Sequence, residues 1–256
     1  MNAFLKDDDV RRLEERALNA SGAFQSLVYD GWLLGYRRGP TKRLRCVNPF
    51  YPSALPLAEK LAYCIAFYEG AGLPAVFRLL PFSQPPELDS YLGAMGWASF
   101  ERTLVLHAAV NETAQALSAA DGVDIVSAVE LAHATVDLLK IESDAVAQIV
   151  QRAKTYPLPH AGAIIRRDDE VVACGLLKLE GDHAGLFAVN TASALRGQGL
   201  GRAIVSALLN EASRRGARTA YLQVTADNVA ALALYRHFGF STAYDYWYRA
   251  RDGERR

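Results

Sequence analysis

The sequence predicts an α/β protein built of two related domains. Three observations carry this expectation. Stretches of helical period alternate with short runs rich in aromatic and β-branched residues. One succession (helix, Gly, strand, short helix, Gly-aromatic, strand) occurs twice. Three alternating glycines, Arg196-Gly197-Gln198-Gly199-Leu200-Gly201-Arg202, stand between an apolar strand and a long amphipathic helix.

Composition narrows the function classes. Of 256 residues, 51% are hydrophobic, enough to bury a real core. Lys plus Arg number 28 and Asp plus Glu 28, so no basic field exists to hold nucleic acid or an anionic membrane. The N-terminus is charged from Lys6 onward and lacks the apolar core of a signal peptide. No uncharged apolar run reaches the roughly 18 residues of a membrane helix. Cys46, Cys64 and Cys174 are far apart and read as small buried hydrophobes, not as a zinc or redox site. A cytoplasmic protein without a metal is expected.

In order, residues 10–20 form a helix with Val10, Leu13, Ala17 and Leu18 on one stripe, stopped by Gly22. Residues 24–36 read as a hairpin turned at Gly31, and Arg38-Gly39-Pro40 punctuates the chain after it. A strand over 44–47, a helix over 57–69, a strand over 75–80, a helix over 86–95 and a strand over 99–107 follow. Residues 111–122, small and Ala-rich, read as a linker between domains. Beyond it come a strand over 123–128 and helices over 130–140 and 144–154, the second capped by Ser143. The two prolines make 156–160 irregular. Strands over 162–167 and 171–180 flank Arg167-Asp168-Asp169-Glu170, a hairpin turn. A strand over 183–191 leads to the glycine loop and to a helix over 200–215, which ends at Gly216 with Arg214 and Arg215 at its negative end. A strand over 219–225, a helix over 228–238 capped by Asp227 and a strand over 242–249 complete the chain.

The repeat has two anchors. Gly96-Trp97 matches Gly239-Phe240, and Gly72 before a strand matches Gly216 before another, at offsets of 143 and 144 residues. At these offsets the glycine loop falls on residues 52–57, which hold no glycine, and Tyr235 falls on Leu92. The first half has the frame without the loop or the hydroxyl.

Glycines between a strand and a helix N-terminus let backbone N–H groups approach an anion closely. The helix end adds about half a positive charge and unpaired donors. Arg196 and Arg202 add charge. A P-loop would need Lys-Ser or Lys-Thr after its last glycine; Arg202-Ala203 follows here. A dinucleotide fingerprint has G-x-G-x-x-G after an early strand; the spacing here is G-x-G-x-G, late in the chain. Among these ligands the pyrophosphate of coenzyme A remains, beside the plainer reading of a tight turn with no ligand.

R-G-Q-G-L-G, preceded by a strand and followed by YLQVTADNVAALALYRHFGF, resembles the GNAT superfamily of acyl-CoA N-acyltransferases over residues 123–249. The loop fits that family's Q/R-x-x-G-x-G/A pattern at Arg196, Gly199 and Gly201. The DYWYR ending resembles a tandem branch in which a degenerate N-terminal copy precedes the active one. The resemblance implies an α/β fold of α+β character, two GNAT-like domains that are each a mixed, mostly antiparallel sheet flanked by helices, and acetyl-CoA as cosubstrate, with no metal. It implies that backbone groups of Val189, Asn190 and Thr191 pair with the pantetheine arm. Amides of Arg196, Gly197, Gln198, Gly199, Leu200, Gly201 and Arg202 would hold the pyrophosphate, and Asn228 would touch the coenzyme arm. Asn228 and Tyr235, seven residues apart, share a helix face. By resemblance Tyr235 protonates the departing thiolate.

No motif marks a general base. Glu180, Asp182, His183, Glu142 and His160 are candidates, though each reads first as a solvated surface group, and the base could be a water. His107, His133 and His237 show no metal pattern and read as structural. The implied organisation is a degenerate GNAT-like domain over 1–110 that is structural or substrate-shaping, a linker over 111–122 and a catalytic domain over 123–256. The implied reaction is acetyl transfer to a primary amine of a small molecule, amino acid or peptide terminus. A non-catalytic acyl-CoA sensor is the alternative. Monomer and homodimer are both open.

Overall fold

A computed structural model describes residues 7–22, 25–39, 41–110, 122–141, 143–251 and 253. Residues 111–121 of the expected linker, Phe24, Pro40 and the base candidate Glu142 lie outside the described residues, as does the side chain of Ser143 with its expected cap. No described helix is long and apolar enough to cross a membrane.

The chain forms two compact units. Unit 1 comprises Met1–Val105, Thr225–Asp227 and Thr242–Arg256; unit 2 comprises Leu106–Val224 and Asn228–Ser241. This division differs from one drawn along the chain, because the C-terminal segment packs in unit 1.

Unit 1 contains α1 (Asp7–Ser21), β1 (Ser26–Tyr29), β2 (Trp32–Gly35), β3 (Val47–Asn48), α2 (Leu57–Gly70), β4 (Phe77–Leu79), α3 (Leu88–Ala94), most of β5 (Ala98–Ala109) and nearly all of β11 (Ser241–Ala250). Its strand order is β1-β2-β3-β4-β11-β5. The β1–β2 hairpin turns at Asp30 and Gly31, both at positive φ, as a tight hairpin turn requires. The strand expected over 44–47 shrinks to Val47–Asn48. Residues Lys42–Leu44 instead wind into a 3-10 turn, closed by the Arg45 N–H on the Lys42 carbonyl at 2.9 Å. Trp32, Tyr68, Phe77, Leu79, Leu88, Leu92 and Trp97 make the core. Beside it Arg78 is fully buried and donates to both carboxylate oxygens of Glu14, at 2.5 and 2.9 Å. The Tyr244 hydroxyl donates to Glu14 Oε2 at 2.5 Å, so this carboxylate accepts from both β4 and β11.

Unit 2 contains β6 (Asp124–Val126), α4 (Ala128–Leu139), α5 (Ser143–Thr155), β7 (His160–Arg167), β8 (Glu170–Glu180), β9 (His183–Thr191), α6 (Leu200–Arg214), β10 (Thr219–Thr225) and α7 (Val229–His237). The end of β5 joins them, in the order β5-β10-β9-β8-β7-β6. Strands β6 to β9 are antiparallel neighbours, and β9 runs parallel to β10. The strand expected over 123–128 stops at Val126. Ser127 caps α4 instead, its hydroxyl accepting from the Glu130 N–H at 3.2 Å. α4 and α6 cover opposite faces. Cys174 lies 3.7 Å from Thr135 of α4, whereas a Cβ on the next residue, Gly175, would meet Ile204 of α6 at 2.6 Å.

The two halves end their helices alike. After α3 the Trp97 N–H donates to the Leu92 carbonyl; after α7 the Phe240 N–H donates to the Tyr235 carbonyl. After α2 and α6 the Leu73 and Ala217 N–H groups reach the Tyr68 and Ala212 carbonyls. All four turns pass through a glycine at positive φ: Gly96, Gly239, Gly72 and Gly216. The strands after the Gly-aromatic pairs are exchanged. β11 pairs with β4 in unit 1, and β5 neighbours β10 in unit 2.

Candidate active site

The site begins where β9 and β10 part. They pair at Thr219↔His183, Ala220↔Ala184 and Tyr221↔Gly185, and no further. On its other edge β9 stays bonded to β8, but with a bulge: β8 advances from Cys174 to Leu176 while β9 advances from Asn190 back to Phe187. Ala188 occupies the bulge at φ +48, a left-handed conformation costly for a residue with a side chain. Its carbonyl accepts from Asn190 Nδ2 at 3.0 Å and from the Cys174 thiol at 3.8 Å. Burial pushes the pKa of that thiol up, so it remains a donor. Val189, Asn190 and Thr191 follow the bulge, on the strand that borders the gap with no β10 partner.

The chain then crosses a 3-10 turn, Ser193–Leu195, and enters the loop. Gly197 and Gly199 take φ +78 and +83, and a Cβ on either would meet nothing within 4 Å. These glycines are therefore required by backbone conformation, and the space over them is open. Gly199 is the N-cap of α6, with no side-chain cap and no acidic residue in the first turn. The first bond inside the helix joins the Ala203 N–H to the Gly199 carbonyl. The N–H groups of Leu200, Gly201 and Arg202 thus point from a positive helix end without a capping side chain. The Leu200 side chain is buried, so only its backbone faces the loop. Arg196, Gln198 and Arg202 are exposed, and Gln198 is tied to the β7–β8 hairpin by Arg167 at 3.0 Å. Neither Arg196 nor Arg202 has an acidic partner among the described residues.

Gly201 brings the third element in. A methyl there would stand 3.5 Å from Leu234 of α7 and 3.7 Å from the Thr191 hydroxyl. Loop, β9 and α7 therefore converge at this glycine. The cap of α7 is Asn228, whose Oδ1 accepts from the Ala231 N–H at 3.1 Å; the expected cap Asp227 is one residue too early. The Ala226 N–H still donates to the Arg102 carbonyl at 2.9 Å, so the chain leaves its strand bonding only after Ala226. With Oδ1 occupied by the cap, Asn228 has its Nδ2 donors left for a ligand. Tyr235 lies two turns on, 8% exposed and edge-on to Phe240 at 5.8 Å between ring centres. Burial alone pushes its phenol up to about 12, so it is a protonated donor at neutral pH.

The described base candidates lie on β7 and around the β8–β9 turn. Glu180 and His183 pair across the β8–β9 turn, below the last β9–β10 pair, and His183 Nδ1 bonds Asp182 at 2.7 Å. His160 Nδ1 bonds the Leu158 carbonyl at 2.6 Å. Sequence reasoning missed the Ala188 bulge and the Gln198–Arg167 tie, since neither leaves a local pattern.

Comparison with known proteins accords with this geometry. Residues 133–240 match the model of the Acetyltransferase (GNAT) family. A [Ribosomal protein bS18]-alanine N-acetyltransferase of Salmonella typhimurium is 32% identical over 38% of this chain and 72% of its own length. The chain belongs to the GNAT acetyltransferase family. It is an acetyl-CoA-dependent acyltransferase. An uncharacterized N-acetyltransferase, YobR of Bacillus subtilis, is 25% identical over 95% of this chain and 99% of that protein. Among solved structures, a GCN5-related N-acetyltransferase from Kribbella flavida superposes with TM-score 0.65 at 18% identity, covering 95% of each chain. A tandem GNAT protein from the clavulanic acid biosynthesis pathway gives 0.57 at 15% identity, covering 78% of this chain and 75% of its own. These two share the fold. GNAT enzymes use acetyl-CoA as cosubstrate, and the residues here fit it. The uncapped helix end, open glycine backbone and unpaired basic side chains suit a pyrophosphate, and the parted strands leave main-chain groups for an amide-bearing arm.

Proposed function

We propose that this GNAT enzyme transfers the acetyl group of acetyl-CoA to a primary amine of a small molecule, an amino acid or a peptide terminus. The observation that carries the reading is Tyr235, a buried and protonated phenol on the helix whose Leu234 meets the glycine loop at Gly201. Acetyl-CoA supplies an activated carbonyl and a thiolate leaving group. Amides from Arg196 to Arg202 hold the pyrophosphate, Val189, Asn190 and Thr191 orient the pantetheine arm, and the Asn228 amide donates to it. Tyr235 delivers its proton to the departing sulfur. A peptide terminus is favoured among acceptors by the Salmonella relative, named for acetylating an alanine of a ribosomal protein.

One active site per chain fits best. Residues 123–256 carry the loop and the phenol, whereas residues 1–110 have Leu92 at the matching place and no glycine over 52–57. The first half is then structural or substrate-shaping.

The test is release of coenzyme A thiol from acetyl-CoA across a panel of small primary amines, amino acids and a peptide with N-terminal alanine. Turnover on at least one acceptor is expected. Tight coenzyme binding without turnover on any would replace the reading with a sensor.

A further inference from the structure

Transfer to an ammonium needs a group that takes a proton before attack, and the described residues named around the loop supply a donor but not that acceptor. Strand register brings one row of residues to a single face of unit 2. His160 on β7 stands opposite Lys178 on β8, Lys178 opposite Gly185 on β9, and Gly185 opposite Tyr221 on β10. The row continues onto β5. The Val110 N–H donates to the Arg218 carbonyl and the Ala226 N–H to the Arg102 carbonyl, each at 2.9 Å, an antiparallel register that sets His107 opposite Tyr221. Such a pair lies between hydrogen-bonded pairs, where facing side chains stand closest, with Cα atoms about 4.5 Å apart. This row is also the level at which β9 and β10 part.

The other titratable groups on this face are engaged. His160 and His183 are bonded through Nδ1, and Lys178 Nζ sits 3.5 Å over the Tyr156 ring. Glu180 lies one row below, paired across the turn with His183. The His107 ring has no hydrogen bond or ion pair with a described residue, and it is half-buried. Gly185 leaves the centre of the row without a side chain, and the Phe187 and Tyr221 rings close over it.

We propose that His107 accepts, through one water, the proton of the acceptor ammonium at the foot of the β9–β10 wedge. The proposal rests on the acetyl-transfer reading above. Strands lie about 4.8 Å apart, so β5 is one strand beyond the wedge and within reach of a single bridging water. Burial lowers the pKa of His107 below its usual 6.5, with no charged group contributing, so the ring is neutral and basic at pH 7. The protons balance. The ammonium gives one proton to His107 and attacks the thioester carbon as the free amine. The C–S bond breaks, and Tyr235 protonates the sulfur. The second nitrogen proton returns through water to Tyr235, and His107 releases its own to solvent.

The test compares wild type with His107→Gln, using acetyl-CoA and the amine panel that includes the alanine-terminal peptide. Wild-type kcat/KM should show an ionisation below pH 6.5. In His107→Gln the rate should fall at least tenfold, that ionisation should vanish, the Kd for coenzyme A should not change, and added imidazole should restore part of the rate. Wild-type rate and profile in the variant would overturn the role of His107 while leaving acetyl transfer intact. Wild type inert on the whole panel would overturn both. Should the variant not fold, His107→Asn and the wild-type ring titration by NMR decide: a ring pKa that does not match the kinetic ionisation overturns the proposal.

Discussion

Tyr235 and Leu92 occupy the same position in two helix ends 143 residues apart. Each gives its carbonyl to the N–H of an aromatic residue five positions on, Phe240 at 3.2 Å and Trp97 at 3.0 Å, across a glycine at positive φ. The backbone is repeated and the hydroxyl is not. Tyr235→Phe keeps the ring against Phe240 and removes only the hydroxyl, the proposed proton donor. It should lower kcat at least tenfold, since general acid catalysis contributes about 10²–10⁴-fold. The Kd for coenzyme A, read by calorimetry, should not move. Unchanged turnover would remove Tyr235 from the chemistry.

Calorimetry should also give one coenzyme A per chain. Residues 52–57 lack the glycines that expose backbone donors at Gly197 and Gly199. A stoichiometry of two would mean that the first half binds coenzyme by other residues.

Two glycines separate binding from packing. Gly199 is at φ +83 with empty space over it, so Gly199→Ala meets no atom but strains the turn by about 1–2 kcal/mol. The loop should shift to relieve this, weakening coenzyme A about tenfold or more with little change in Tm. At Gly175 a methyl would stand 2.6 Å from Ile204 and 2.9 Å from Leu208. Gly175→Ala should therefore cost stability, about 1–3 kcal/mol by urea denaturation, as overpacking does. The opposite pattern would mean that the loop tolerates a side chain and the β8–α6 contact has slack.

Most elements were legible because each has its own local cause. Helices have periodic stripes, and Gly22, Gly72, Gly96, Gly216 and Gly239 stop the chain where their left-handed conformation is needed. The glycine loop marked the candidate site, and the relation of Tyr235 to Leu92 followed from the repeat. Legibility ended where distant segments decide. Asp227 and Asn228 are both good caps, and the hydrogen bond from Ala226 to Arg102 selects the second. Ala188 in a left-handed bulge has no local pattern, since its conformation is imposed by β8 and by the bonds on its carbonyl. The exchange of β5 and β11 depends on pairing between strands far apart in sequence, and neither strand carries a residue that names its neighbour.

That exchange has an energetic anchor. Glu14 accepts both Arg78 nitrogens and the Tyr244 hydroxyl, and it has no exposed surface. The adjacent carboxylate holds Arg78 firmly protonated. Glu14→Gln leaves a buried guanidinium without its counter-charge and should cost about 3–5 kcal/mol in urea denaturation. Tyr244→Phe removes one donor to a charged acceptor and should cost about 1.5–3 kcal/mol. Equal, small losses would show that β11 is held in unit 1 by its backbone ladder alone.

The pH dependence of transfer tests the phenol separately from the base. In the proposed role Tyr235 must be protonated to serve the sulfur. An ordinary tyrosine, at 10.0, would begin to lose its proton near pH 9 and take activity with it. Burial raises this one to about 12, which moves the loss upward and leaves the acid intact through pH 10. The kcat for a good acceptor should therefore stay flat from pH 8 to 10, while any fall at lower pH reports the base or the amine. The control is the Phe variant, whose residual rate has no phenol to lose. If wild-type kcat falls by half near pH 9 and the Phe variant does not, the phenol is solvated during turnover and its burial does not survive coenzyme binding.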